Sequence, residues 1–287
     1  MTAVWVHDYH LFLLPGLIRQ KCPEAKIAFF MHTPFPSSEV FRCLPQRKAL
    51  LSGLLASDQI GFQTEAYRIH FVSAATRIIG VESNATGVEY HHRHVHLLVC
   101  PIGMDIQRIH TQLAQRHVYA QVKKLHDMYS DRHIIFGWDK LDAVNGVLHK
   151  LHAFDLFLQL YPEWRAKVVF IQISAPTPEG NPKLERQIAE AVARINGLYG
   201  TLSFSPIHYH SSKISEDQYY GLLHAADVGL ICPIRDGMNT ASVEYVMCQH
   251  AKAETAPGQL LLSEFTGTAA SIPDALINPW DYKVFSF

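Results

Sequence analysis

Short apolar runs alternate with amphipathic stretches along nearly the whole of this 287-residue chain, and that rhythm leaves few folds open. Parallel neighbours in a sheet need a crossover of a dozen or more residues, ordinarily a helix, and strands covered on both faces read as continuous apolar runs. The spacing predicts strands over 3–7, 26–31, 59–62, 96–100, 134–137, 168–173, 202–207, 228–231 and 259–262. It predicts helices over 11–21, 47–56, 65–79, 105–129, 146–160, 182–198, 215–225 and 240–250. Gly80, Gly197 and Gly200 supply turn chemistry after helical stretches. The segment 84–94 breaks the alternation and reads as a hairpin or an excursion. The implied class is α/β, with length enough for two domains.

Composition narrows the function. A net charge of −1 gives no broad pull toward nucleic acid or a membrane surface. Cys22, Cys43, Cys100, Cys232 and Cys248 are scattered and odd in number, the pattern of reduced thiols in a cytoplasmic protein. No apolar run approaches the roughly 18–20 residues of a membrane span, and no secretory signal opens the chain. A P-loop, a GxGxxG after a strand and a Gly-x-Ser-x-Gly elbow are all missing, which argues against nucleotide hydrolysis, dinucleotide redox chemistry and serine hydrolysis.

Polar turns follow several of the strands, where open α/β sheets bind ligands. Asp8 and Tyr9 follow the first strand, and His32 follows the second, so Asp8 and His32 project toward one crevice. Residues 139–146 follow another strand and open a helix, a natural place for a diphosphate. Asp236 and Gly237 could form an ordinary turn, Asn239 could cap a helix, and Glu244 could complement its dipole. His91, His92, His94 and His96 form the densest histidine cluster. Without a carboxylate or cysteine pattern beside it, that cluster reads as an exposed hairpin rather than a metal site, and no metal or other cofactor is expected.

Taken together, VWVHDYHL, HTPFPSSEVFR, FQTEAYRIHF, PIGMD, DKLDAVNG, ARINGLYG, RDGMNTASVEY, SEFTGTA and NPWD resemble, in order, the motifs of the trehalose-6-phosphate synthases, glycosyltransferase family 20. The resemblance runs from about Val4 to Asp281. It implies two Rossmann-like domains of the GT-B type. Residues 1–104 would be a partial N-terminal, acceptor-side domain. Residues 105–287 would be the UDP-glucose-side domain, lacking its final crossover helices. It also implies metal-independent transfer of glucose from UDP-glucose to glucose-6-phosphate with retention of configuration. Under the same resemblance Asp8 and Tyr9 hold the acceptor, and His32 meets the transferred glucose. Asp236, Gly237, Met238 and Asn239, with Thr240 next in line, bind the donor sugar. Glu244 accepts from the ribose hydroxyls.

Five departures from the family pattern stand out. Lys140 replaces an Arg and loses its bidentate fork, and Asn145 replaces a Lys and its charge. Counting back from Arg194 puts Glu185 where an acceptor-phosphate Arg belongs. Arg186, one position along, lies about 100° away around the helix unless the register shifts by one residue. Ser212 stands at a further Arg position, and the glycine-rich loop upstream of Val4 has no counterpart. These losses resemble the synthase-like domains of fungal trehalose synthase/phosphatase complexes. They imply a catalytically impaired regulatory subunit with weak or no UDP-glucose binding, partnered by synthase and phosphatase subunits. The alternative is an active retaining glucosyltransferase, supported by Asp8, His32, Asp236, Asn239 and Glu244.

Overall fold

The computed structural model describes residues 3–178, 180–252 and 256–282. The chain divides into two units, Met1–Gly103 and Met104–Phe287.

The first unit holds strands β1 (Ala3–His7), β2 (Lys26–Met31), β3 (Gln59–Phe62), β4 (Glu82–Ser83), β5 (Gly87–Tyr90) and β6 (Arg93–Val99). Its helices are α1 (Leu14–Lys21), α2 (Ser38–Phe41), α3 (Arg47–Leu55) and α4 (Glu65–Ile79). The sheet order is β1-β2-β3-β6-β5-β4, with β1, β2, β3 and β6 parallel. Phe29, Phe62, Phe71, Leu54 and Val95 fill its core. Thr64 caps α4 by accepting from the Tyr67 N–H, and Gly80 ends that helix at φ 85°. The break over 84–94 is the antiparallel extension β4-β5-β6. His91 and His92 close its two-residue turn, both at positive φ as such a hairpin requires. Strand β1 lies at the sheet edge with Trp5 68% exposed.

The second unit holds β7 (His133–Lys140), β8 (Val168–Ala175), β9 (Ile207–His210), β10 (Val228–Ile231), β11 (Gln259–Ser263) and β12 (Leu276–Ile277). Its helices are α5 (Ile106–Leu113), α6 (Arg116–Met128), α7 (Val147–Leu160), α8 (Pro182–Tyr199), α9 (Glu216–Ala225) and α10 (Thr240–His250). The order β12-β11-β10-β7-β8-β9 is parallel throughout, so the first strand of the unit is central and the chain winds outward on both sides. That is the doubly wound dinucleotide-fold order, and its topological switch point lies between β7 and β10. Two apolar clusters, one centred on Phe136, Val169 and Tyr245 and the other on Phe170, Leu151 and Ile188, make up the core of the unit.

Two elements differ from the sequence expectation. The helix predicted over 105–129 is two helices. Ile109 and Leu113 share one apolar stripe, and Val118, Val122, Leu125 and Tyr129 share another. The step of five from 113 to 118 rotates the stripe by about 140° on a continuous helix. Extended backbone at Gln115 resets the phase so that both stripes pack against the same cluster. The strand predicted over 202–207 begins instead at Ile207, because Thr201 and Phe204 bond to each other across a tight turn that leaves Leu202 exposed. Asn196 pins the new start, its amide accepting from the Ile207 N–H at 2.9 Å and donating to the Ile207 carbonyl at 3.0 Å.

Candidate functional site

In the first unit the polar turns leave the carboxyl ends of adjacent parallel strands, with His7 opposite Phe30 in the β1/β2 register. Asp8 Oδ1 accepts from the Thr33 hydroxyl at 2.9 Å and from the Thr33 N–H at 3.3 Å, which joins the two turns. The Asp8 backbone sits at φ 65°, ψ 169°, a region that is essentially glycine-only and costs about 1–3 kcal/mol. His7 Nδ1 lies 3.0 Å from His32 Nε2, within hydrogen-bond distance. Tyr9 is exposed and stacks on His10. Asp8 and His32 are thus brought to one edge of the unit. Thr33, which the sequence reading passed over, is the residue that links their turns.

In the second unit the turn after β7 and the turn after β10 flank the switch point. Lys140 ends β7 with its side chain exposed. Asp142 Oδ1 gathers the turn, accepting from the Val144 and Asn145 N–H groups and from Asn145 Nδ2 at 2.7 Å. The Asn145 side chain is therefore occupied within its own loop. Gly146 follows at φ 73°, and a Cβ there would fall 2.1 Å from the Cys232 carbonyl oxygen, so only glycine lets α7 start against β10. Beneath the turn, Lys150 of α7 is fully buried and ion-paired with Asp139 of β7. Gln172 donates to the same carboxylate at 2.8 Å. Gly137 makes room for the group, since a Cβ there would meet Gln172 Oε1 at 2.2 Å.

Across the switch point, Asp236 accepts from Asn239 Nδ2 at 2.9 Å. Asn239 Oδ1 caps α10 through the Ser242 N–H at 2.8 Å, and its own N–H donates to Thr268 Oγ1 at 2.9 Å. Burial pushes the Asp236 carboxyl above its ordinary pKa. Hydrogen bonds from Asn239 and the Met238 and Gly237 backbone, together with the nearby Lys140 charge, pull it part of the way back. Asp236–Asn239 is thus both a helix cap and a polar cradle. Farther along α10, Glu244 accepts from the Tyr219 hydroxyl at 2.5 Å. Burial raises the Glu244 carboxyl, and the Tyr219 hydrogen bond and Arg108 oppose the rise. Trp138, Tyr219, Thr240, Ala241 and Glu244 line a hollow of about 330 Å³. A separate apolar hollow, lined by Phe154, Phe157, Trp164 and Leu261, lies toward the amino ends of the strands and lacks converging polar groups.

Glu185 lies in the first turn of α8, exposed, with its negative field reaching Tyr209 of β9. Arg186 is exposed, 3.8 Å from Glu190 one turn along the helix. Ser212 and Lys213 are exposed in the loop after β9. His94 of the histidine hairpin is engaged by Glu89 at 2.6 Å and by Thr86 at 3.0 Å. No group of three or more metal-ligating side chains occurs among the described residues. Among these same residues, no helix is long and apolar enough to cross a membrane.

Such a doubly wound unit, with two polar turns flanking its switch point, has the architecture of the Rossmann-like domains of glycosyltransferases, among other nucleotide-binding proteins. The profile of glycosyltransferase family 20 matches residues 2–286, and the chain belongs to that family. It is 43% identical over 282 residues to the alpha,alpha-trehalose-phosphate synthase [UDP-forming] A of Dictyostelium discoideum, covering 97% of this chain and 38% of that protein. It is 45% identical to the 56 kDa subunit of the Kluyveromyces lactis synthase, covering 97% of this chain and 58% of that one. Among solved structures, the N-terminal domain of Candida albicans trehalose-6-phosphate phosphatase superposes with a TM-score of 0.91 at 42% identity, over 98% of this chain and 60% of that one. A Burkholderia xenovorans synthase in complex with glucose-6-phosphate gives 0.92 at 29% identity, over 99% and 64%. The two α/β units are therefore of the GT-B type. The chain spans about 60% or less of the length of these curated relatives.

Proposed function

We propose that this chain is a catalytically impaired member of its family. In this reading it serves trehalose biosynthesis in the cytoplasm as a regulatory or structural subunit and holds UDP-glucose weakly or not at all. One observation carries this reading. At the phosphate turn the Asn145 side chain is closed onto Asp142, and the remaining exposed cation, Lys140, lies in the field of Asp236. A departing diphosphate needs preorganised positive charge. Removing one such group commonly costs about 2.7–4 kcal/mol in transition-state stabilisation. Under the same proposal Asp236, Gly237, Met238, Asn239, Thr240 and Glu244 cradle the donor, His32 meets its sugar, and Asp8 and Tyr9 face the acceptor. Glu185 repels the acceptor phosphate. Synthase and phosphatase subunits are the proposed partners, in keeping with the 42% identity to a domain of a trehalose-6-phosphate phosphatase.

The second reading is an active retaining glucosyltransferase that makes trehalose 6-phosphate. It is favoured by 42–45% identity to UDP-forming synthases and by the intact Asp236–Asn239 cradle. UDP release from UDP-glucose, measured with glucose-6-phosphate added, separates the two. Turnover at least a hundredfold below the ordinary range of about 1 s⁻¹ supports the impaired subunit, and turnover within that range overturns it.

A further inference from the structure

Helix α3 opens with the wrong charge. Arg47 and Lys48 stand in its first turn, which carries no acidic residue, and Gln46 at the N-cap gives no side-chain hydrogen bond. Cations suit the opposite end of a helix, where the dipole is negative. Two more converge on the same place, because Glu39 of α2 ion-pairs with Arg42 at 3.1 Å and with Arg77 of α4 at 2.9 Å. Arg47 is half-buried and fixed by donating to the Leu44 carbonyl at 3.1 Å. Together these side chains line a hollow of about 560 Å³ in the first unit, one that neither Asp8, Tyr9 nor His32 lines. Among the described residues lining it, four cations face one carboxylate, so three positive charges stay uncompensated. Ser38 completes the wall at 8% exposure. Its Oγ accepts from Ser73 Oγ at 3.2 Å, which leaves the Ser38 hydroxyl proton to be donated.

We propose that this hollow binds a phosphate anion carrying at least two negative charges, as a site separate from the polar turns at the strand ends. Glu39 holds two guanidinium forks side by side but can neutralise only one of them, and such forks grip phosphate oxygens in a bidentate manner. An anion seated here complements the uncapped, positive end of α3, so the charge misplaced in the free helix is matched once the ligand binds. A concave hollow favours a compact anion over an extended acidic segment, whose same-side carboxylates stand about 7 Å apart along the chain.

Cys43 gives the site its own reporter. It is exposed in this hollow, whereas the exposed Cys22 and Cys100 do not line it, and Cys232 and Cys248 are buried. The native chain is alkylated with iodoacetamide, and each thiol is followed by mass spectrometry. Pyrophosphate, a diphosphate, and phenyl phosphate, a phosphomonoester, are compared with sodium chloride at equal ionic strength, which removes plain screening. At least one of the two phosphates is expected to slow Cys43 about fivefold or more, with half the effect at or below about 1 mM, while Cys22 and Cys100 react as before. Lys48→Gln with Arg77→Gln changes two exposed side chains and should raise the half-protecting concentration at least about tenfold. If neither phosphate protects Cys43 better than chloride does, or if the double variant is protected equally well, the site is overturned. Protection by a hexaglutamate peptide but by neither phosphate also overturns it, in favour of a surface for an acidic protein segment.

Discussion

Lys140 and Asn145 share a loop but meet different fates: one side chain is exposed beside a carboxylate, the other closes onto Asp142. Replacing them with Arg and Lys restores a planar fork and a second charge. The double variant is expected to bind UDP about tenfold more tightly or better, about 1.4 kcal/mol or more, in calorimetry. An unchanged affinity would mean the turn does not face a diphosphate. Asp236 gives a second residue-scale prediction. Its folded pKa is raised above the ordinary 3.8, chiefly by burial. A carboxyl shifted this way costs stability in its ionised form: the cost is complete above the folded pKa and vanishes below the unfolded one. Asp236→Asn should therefore melt at a higher temperature than the native chain near pH 7, with the gap closing as pH falls toward 4. Donor-sugar binding should be lost at the same time. A lower melting temperature at neutral pH would show that the hydrogen bonds to Asp236 outweigh its desolvation.

The turn between β7 and α7 is clasped from below by the buried pair Asp139–Lys150, with one partner on each element. Removing one member of a buried pair strands the other charge, at about 3–5 kcal/mol, whereas replacing both with apolar residues is often close to neutral. Lys150→Met is expected to destabilise the chain by that amount in denaturant unfolding, and Asp139→Leu with Lys150→Met should recover most of it. Additive losses would rule out the clasp. This pair also marks a boundary of what can be read from one-dimensional pattern. Strand and helix positions followed from apolar periodicity because burial acts on every second or every third to fourth residue. Lys150 is a lone charge in the apolar stripe of Val147, Leu151, Phe154 and Leu158, but its partner lies eleven residues away and only the fold shows that the two meet. The pairing of Glu244 with Tyr219, 25 residues away, was equally invisible, although Glu244 itself had been singled out. The break at Gln115 was legible in principle, as a five-residue step between stripes, but no Gly or Pro announced it. The contact between Asp236 and Asn239 was legible because both stand in one short turn, whereas the contacts of Asp8 with Thr33 and of His32 with His7 each span 25 residues and appear only in the fold.

Each unit has its own sheet and its own apolar core, so cooperativity need not extend over the whole chain. Scanning calorimetry is expected to show more than one transition. Saturating UDP should raise only the transition of the second unit, by about 2.7 kcal/mol of stabilisation when present at a hundred times its dissociation constant. A single transition shifted as a whole would mean that the units unfold together.

Because the first strand of the second unit is central, the loops that would handle ligand hang beyond the carboxyl ends of β7 and β10, outside the close-packed interior. Folding senses the glycine, the buried clasp and the buried Asp236 carboxyl at their base but hardly the charge at an exposed tip such as Lys140. A lineage can thus erase or rewrite the chemistry of these loops while selection for a well-folded body continues undisturbed. Inactive relatives built on sheets of this kind should accordingly be as sturdy as the enzymes they descend from, and repairable by a handful of substitutions.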